Sequence, residues 1–472
     1  MKKWGGLLPI FLGVWCAVIP ASTRAAAAKN LGLVGTTEVL PDAVDKNGET
    51  MGGFFSGMCW DPASQTLYGL ADRGPSNGEV DYRPRVQLFQ LTIDLSKTNL
   101  HNIALTNTAT VLLRDDAGEF FSGADANDIA WTNFPRVANG PRSLDAEGIV
   151  HAPDGTFYIS EEYGPFVYQF GPDFKMLRAI VPPAHILPKS GAAAERKINY
   201  TATRQPDSGR EKNHGFEGVG LSPDGTTLFA LLQSPCVQDG LRDGKRDKAS
   251  RNTRLLTWDI RAPAEPKLTG EYIYQLDLLE GAKRAASQSE ILVINPDTLL
   301  VLERDDRGLG TGKEKQICRI YCASLKRATN LQLIPGRPYS REAGDPKGIP
   351  LTGTRLPPDI TPISKTLFVD ILNREELAKA GYTDLRLFPE KWEGLSIVEH
   401  PSLPPHQYLL LVGVDNDFKT RHGFFKTTTH EDGIRIPVVA SVEEEVPTLV
   451  FAYRVELPDY EAQRRPNSTA SR

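Results

Sequence analysis

One short pattern returns along the chain and limits what it can fold into. An acidic residue, often followed by Gly, opens an apolar strand; a Pro-Asp-Gly kind of turn, a second strand and a charged ending follow. It reads Asp145-Ala146-Glu147-Gly148-Ile149-Val150, then Pro153-Asp154-Gly155, then Phe157 to Glu161-Glu162. It returns as Phe216-Glu217-Gly218-Val219 with Pro223-Asp224-Gly225, and as Ser289-Glu290-Ile291-Leu292 with Asn295-Pro296-Asp297, ending Glu303-Arg304-Asp305. A fourth copy runs from Trp392-Glu393-Gly394-Leu395 to Asp415-Asn416-Asp417. A degenerate first copy, Ser56-Gly57-Met58-Cys59-Trp60, has Ser56 in place of the carboxylate and ends Asp72-Arg73-Gly74.

Repeated strand–turn–strand units bury their faces by stacking on one another. Each copy has a further stretch that reads as an outer strand: Arg85 to Leu95, Val167 to Phe170, Arg254 to Ile260, Gln316 to Ala323 and Leu449 to Val455. Two inner strands and one or two outer ones make a propeller blade. The 41 Gly and 35 Pro residues suit many strands joined by many turns. The expected fold is all-β, a β-propeller of five to six blades. A sixth blade would lie between 307 and 392, where Lys365 to Asp370 reads as a lone strand. The stretch Val34 to Val39 would close the ring against Val450 to Val455. The competing architecture is a β-sandwich with look-alike turns. The unequal spacing of the copies places loop insertions at 115–144, 188–213 and Arg242 to Arg251.

The N-terminus reads as an export signal over residues 1–28. Lys2 and Lys3 precede the apolar run Leu7 to Ala21, and Ala25 to Ala28 supply small residues for cleavage. The run is short for a membrane span, and Trp15 before Cys16 argues against a lipid-anchored cysteine. The repeat domain then covers 36–457, and 458–472 is a polar tail. The net charge of −5 gives no electrostatic case for nucleic acid or an anionic membrane. Cys59, Cys236, Cys318 and Cys322 remain after export, an even number that permits disulfides or leaves buried thiols. Cys318 and Cys322 share a strand face but sit too far apart to bond to each other.

At these repeat residues the sequence resembles the phytase-like domain family, whose members carry an esterase-like activity. The resemblance rests on Asp145-Ala146-Glu147-Gly148-Ile149, Glu161-Glu162-Tyr163-Gly164-Pro165, Phe216-Glu217-Gly218, Glu303-Arg304-Asp305 and Lys391-Trp392-Glu393-Gly394-Leu395. It covers about 36 to 457 and implies hydrolysis of a small anionic substrate, a phosphoester, by the repeated acids.

Equivalent residues at the start of each inner strand meet at one end of a propeller's axis. Glu147, Glu217, Glu290 and Glu393 should therefore form a ring, as catalytic groups and metal ligands. Clustered carboxylates repel unless a cation sits among them, and Ca²⁺ takes ~6–8 oxygen ligands. Asp72, Glu161, Glu162, Glu303, Asp305, Asp415 and Asp417 end the second strands and are further candidate ligands. Arg73, Arg304, His214 and Arg210 are candidates for holding an anionic substrate. The competing reading has each acid capping backbone amides of the next blade. No GxSxG elbow, HExxH, P-loop or dinucleotide fingerprint is present. The alternatives are a Ca²⁺-dependent lactonase-type hydrolase and a non-catalytic propeller that binds a ligand or protein.

Overall fold

The structure is a computed structural model. It describes Met1 and residues 27–130, 133–192, 195–242, 245–262, 265–279, 281, 283–309, 311–334, 356–427 and 429–460. Apart from Met1 and residues 27–28, the export signal lies outside the described residues, as do most of the polar tail and part of the stretch between 307 and 392.

Each copy of the sequence pattern supplies the inner two strands of a four-stranded antiparallel sheet. Blade 1 runs Gly57–Asp61, Thr66–Leu70, Arg85–Ile93 and Ile103–Leu112. Blade 2 runs Ala146–His151, Phe157–Glu161, Val167–Phe170 and Met176–Ile180. Blade 3 consists of Phe216–Leu221, Thr227–Leu232, Asn252–Asp259 and Lys267–Gln275. Blade 4 consists of Ser287–Asn295, Thr298–Arg304, Cys318–Ser324 and Ser364–Asp370. Blade 5 takes Lys391–Val398, Gln407–Asp415 and Thr448–Glu456, and its outer strand is Lys29–Val39 from the other end of the chain. The five inner strands touch in a closed circle. The fold is a five-bladed β-propeller.

The stretch 364–370 is thus the fourth strand of blade 4, not a sixth blade; it pairs with Cys318–Ser324. The ring closes as its patterning required, with Thr37 opposite Val450 and Val39 opposite Thr448. Among the described residues the one α-helix is Arg374–Lys379, and none is long and apolar enough to cross a membrane. Cys59, Cys236, Cys318 and Cys322 are free thiols.

The second strands read as unbroken apolar runs because both faces are covered. In blade 3, Leu228, Ala230 and Leu232 enter the core shared with blade 2, whereas Phe229 and Leu231 enter the core shared with blade 4. In blade 4, Leu299 and Val301 face blade 3, while Leu300 and Leu302 face blade 5. Leu302→Ala should therefore cost about 2–5 kcal/mol, read as a lower denaturant midpoint at unchanged slope.

Glycine in the Glu-Gly step has a steric cause. A Cβ on Gly148 would lie 2.8 Å from the Glu217 carbonyl oxygen and the Val219 nitrogen of blade 3. One on Gly218 would lie 2.6 Å from the Ile291 nitrogen of blade 4. The blades meet backbone to backbone around the axis, and only glycine admits that approach.

Inner strands begin, and second strands end, at the same end of the axis. The insertions 115–144 and 188–213 each lead into an inner strand and so lie at that end. They are joined there: the Asp125 carboxylate accepts from the Thr201 hydroxyl at 2.7 Å and the Ala202 N–H at 2.6 Å.

Candidate functional site

Two rings of side chains converge at this loop-rich end, and strand register defines both. In blades 2, 3 and 5 a bulge interrupts the inner pair at the acid: at Glu147 with Gly148, at Glu217 and at Glu393. A bulge re-aims the side chain it carries. In blade 4 the bulge falls between Gln288 and Glu290, on Ser289. The first ring is therefore Ser56, Glu147, Glu217, Ser289 and Glu393. The second ring comes from the ends of the second strands, at matched register: Asp72, Glu162, Gln233, Arg304 and Asp415.

The contacts bear out these rings. A Gln233 amide N–H donates to Glu217 Oε1. Arg304 donates to Ser289 Oγ at 3.0 Å and to Glu393. Lys391 lies 3.3 Å from Glu393, 3.0 Å from Asp417 and 3.6 Å from Asp72, and also donates to Asp415. The Ser56 hydroxyl donates to Asp415 at 3.2 Å. Above Glu147, Asp145 pairs with Arg73 at 2.8 Å, and Glu162 accepts the Gly215 N–H at 3.1 Å.

Acids outnumber bases here, and almost all are buried. Among the described residues, two trios bring carboxylate oxygens within 4.8 Å of one another: Asp72, Asp415 and Asp417, and Asp145, Glu147 and Glu162. The trios differ in how their charge is met. The Lys391 ammonium contacts every member of the first. Burial works against that charge, yet Asp415, Asp417 and Glu393 hold the Lys391 ammonium well above its ordinary pKa. Asp417, despite burial, is held below the usual carboxylate range by Lys391 and Lys419.

Among the described residues the second trio has no ammonium in its midst: Arg73 is bound to Asp145, and Arg210 acts on Glu162 from a distance, its donors taken by carbonyls. The Glu147 carboxylate accepts no hydrogen bond from the described residues. Burial first, then Glu217, Asp145 and Glu162, push it well above the ordinary carboxylate value. Burial and Glu217 do the same to Glu162. Burial and Glu393, opposed by Arg304 and Lys391, push Glu217 up to about 8, and its Oε2 is buried without a hydrogen-bond partner.

With this geometry in place, the sequence comparisons become specific. Residues 49–418 match the phytase-like family, described as "esterase-like activity of phytase". The chain belongs to this family. It is also 32% identical over 456 residues to a protein of Arthroderma benhamiae named "Uncharacterized secreted protein", covering 83% of this chain and 88% of that one. Among solved structures, the calcium-binding protein regucalcin of Agrobacterium tumefaciens aligns at 10% identity and TM-score 0.30, over 92% of this chain and 97% of that one. A luciferin-regenerating enzyme aligns at 10% identity and TM-score 0.28, over 91% and 95%.

Not every acid expected in the ring at the loop-rich end of this phytase-like propeller's axis lies in it. Glu290 stands in the glycine position of its blade, one residue past the ring. Its Oε1 accepts the Ile291 N–H at 2.8 Å and the Val219 N–H of blade 3 at 3.3 Å. It lines the lower channel, a cavity of about 100 Å³ walled by Met58, Ile149, Val219 and Leu395. For Glu290 the geometry is that of an amide cap between blades. Glu161 and Glu303 precede the second-ring positions, and strand alternation turns them away from the axis. Glu161 accepts N–H groups of Tyr163, Gly164 and Phe166. Glu303 accepts from the Tyr274 hydroxyl, the Asp277 N–H and Lys365. Asp305 accepts N–H groups of Gln316 and Ile317 and pairs with the buried Lys315.

Of the expected anion holders, Arg73 and Arg304 reach the axial acids. Arg210 does not: it is fully buried and donates to the Tyr163, Tyr200, Thr201 and Glu211 carbonyls. His214 lies in an adjoining cleft. Glu162 is among the acids expected from the strand endings, whereas Asp145 and Lys391 have no expected role. Asp145 and Lys391 each stand two residues before a ring glutamate, so period-2 alternation carried that signal.

Proposed function

We propose that this phytase-like propeller is an exported ester hydrolase acting on small anionic phosphoesters at the loop-rich end of its axis. One observation supports the reading: Asp145, Glu147 and Glu162 bring buried carboxylate oxygens within 4.8 Å of one another, and Glu147 has no hydrogen-bond donor among the described residues. Burying such a group is costly unless a cation compensates it. The donor set is all oxygen and suits a hard divalent ion such as Ca²⁺, with Asp145, Glu147 and Glu162 as its holders. When bound, such an ion polarises a phosphoryl oxygen and acidifies a water. The first trio has its ammonium already in Lys391.

The remaining groups have separate tasks. Arg73, at the edge of the cluster, is placed to meet an incoming anion. Glu217, with a free buried oxygen and an affinity for protons raised to about 8, is the general base. Arg304 and Lys391 hold Glu393 and oppose the accumulation of negative charge. The basic and apolar leader and the name of the Arthroderma relative, a secreted protein, support export.

The purified mature protein should hydrolyse a phosphoester in the presence of Ca²⁺ and stop when a chelator is added, with its circular dichroism unchanged. Turnover that survives exhaustive chelation would overturn the cation's part in this reading.

A further inference from the structure

A cleft of about 490 Å³, a size typical of small-molecule sites, is walled by Ser234, which follows the ring residue Gln233, and by Ser287, which pairs with Arg304. His214 forms part of its wall, and the residues on either side of it are tied to the axis. Asn213 accepts a hydrogen bond from Arg73, and the Gly215 N–H donates to Glu162. On its inner side, His214 Nδ1 lies 2.8 Å from Ser234 Oγ and 3.3 Å from Glu211 Oε2. The Ser234 hydroxyl donates to the same Glu211 oxygen at 3.2 Å.

Glu211 and Ser234 are buried, whereas the imidazole is 31% exposed. Its Nε2 has no partner among the described residues. A carboxylate and a hydroxyl behind Nδ1 fix that nitrogen as the inward donor and leave Nε2 as the outward edge through which a proton can pass. This is an acid–base dyad, flanked by Asn213 and Gly215, which are bonded to Arg73 and Glu162 of the axial cluster.

We infer that His214 is the general acid that protonates the leaving oxygen, and that the cleft receives a hydroxyl-bearing leaving group. The inference rests on the axial reading above. Gln205, Asp207 and Asp247 offer acceptors along the cleft, and Lys248 and Arg284 offer donors, a lining matched to a polyol rather than to an apolar ring. The step balances. The water oxygen bonds to phosphorus as the bond from phosphorus to the ester oxygen breaks. The water's proton passes to Glu217, and the Nε2 proton passes to the departing oxygen. The products are an alcohol and hydrogen phosphate, and solvent returns the proton from Glu217 to His214.

The test is leaving-group dependence. An alkoxide leaves only with a proton, whereas a nitrophenolate leaves without one. With Ca²⁺-loaded protein, His214→Gln should lower kcat for glycerol 2-phosphate about a hundredfold. For 4-nitrophenyl phosphate it should change kcat by about threefold or less. Glu211→Gln, which leaves the imidazole in place, should give the same selective loss in smaller measure. Thermal unfolding of both variants checks that the fold is kept. Equal losses on the two esters, or none on either, with active wild-type protein, overturn this inference alone. A wild-type protein that hydrolyses neither ester sinks it together with the axial reading.

Discussion

Glu147→Gln should cut turnover by orders of magnitude and yet make the cation-free protein harder to unfold. The two effects share one cause. In the wild-type protein this carboxyl is buried beside Asp145, Glu162 and Glu217, with no donor among the described residues. Its folded pKa stands above the ordinary value of 4.5. Such a group contributes stability below that ordinary value, and the contribution is lost as pH rises toward the folded pKa. The cation-free wild-type protein should therefore lose stability as pH rises from the acid range toward neutrality. Glutamine keeps the shape and removes the titration, so the variant's Tm in chelator should exceed the wild-type Tm at neutral pH. Adding Ca²⁺ should raise the wild-type Tm and leave the variant's unchanged. Activity should fall about a thousandfold, because several kcal/mol of charge stabilisation is lost at tenfold per ~1.4 kcal/mol. Paired melts and rate measurements check both signs; a variant that is inactive but less stable in chelator would point to a purely structural glutamate.

The second large effect concerns the ring itself. Gly218→Val should prevent folding at ambient temperature or lower stability by about 3 kcal/mol or more. Its Cβ would lie 2.6 Å from the Ile291 nitrogen. Neither strand can yield: the inner strand of blade 3 is held between blades 2 and 4, and Gly218 is itself paired with Leu231. Gly281→Ala is the contrasting substitution, since a Cβ there meets nothing within 4 Å although its φ is +81°. It should cost about 1 kcal/mol of left-handed strain. Denaturant titrations of the two variants compare a blocked approach with a merely strained turn. Similar losses would mean that close blade approach is not what the glycine serves.

Much of this architecture was legible from residues alone. Acid-Gly-strand-turn-strand copies identified the inner strands, and the ring closure followed from two β-branched ends. The extra blade arose because Lys365 to Asp370 stands far along the chain from the strand it pairs with. An insertion hides such a pairing from any local pattern. The axial site was legible only in part, for a reason of register. Glu147, Glu217 and Glu393 sit on bulges, but in blade 4 the bulge falls on Ser289, so Glu290 is carried to the glycine position. Sequence alignment of the motif cannot detect a bulge displaced by one residue, yet that displacement decides which way the side chain faces. The same parity separates Glu161 from Glu162 and Glu303 from Arg304. Arg210 illustrates another limit: its basic loop looked available to an anion, but burial commits its donors to four carbonyls.

The central claim is that the trio without an ammonium holds the cation. Calorimetric titration of Ca²⁺ into chelator-stripped protein tests it most directly, comparing wild type with Glu147→Gln and Asp417→Asn. The account predicts saturable binding by the wild-type protein, loss of that binding in Glu147→Gln, and its retention in Asp417→Asn. No binding heat in the wild type, or loss in Asp417→Asn with retention in Glu147→Gln, would contradict it.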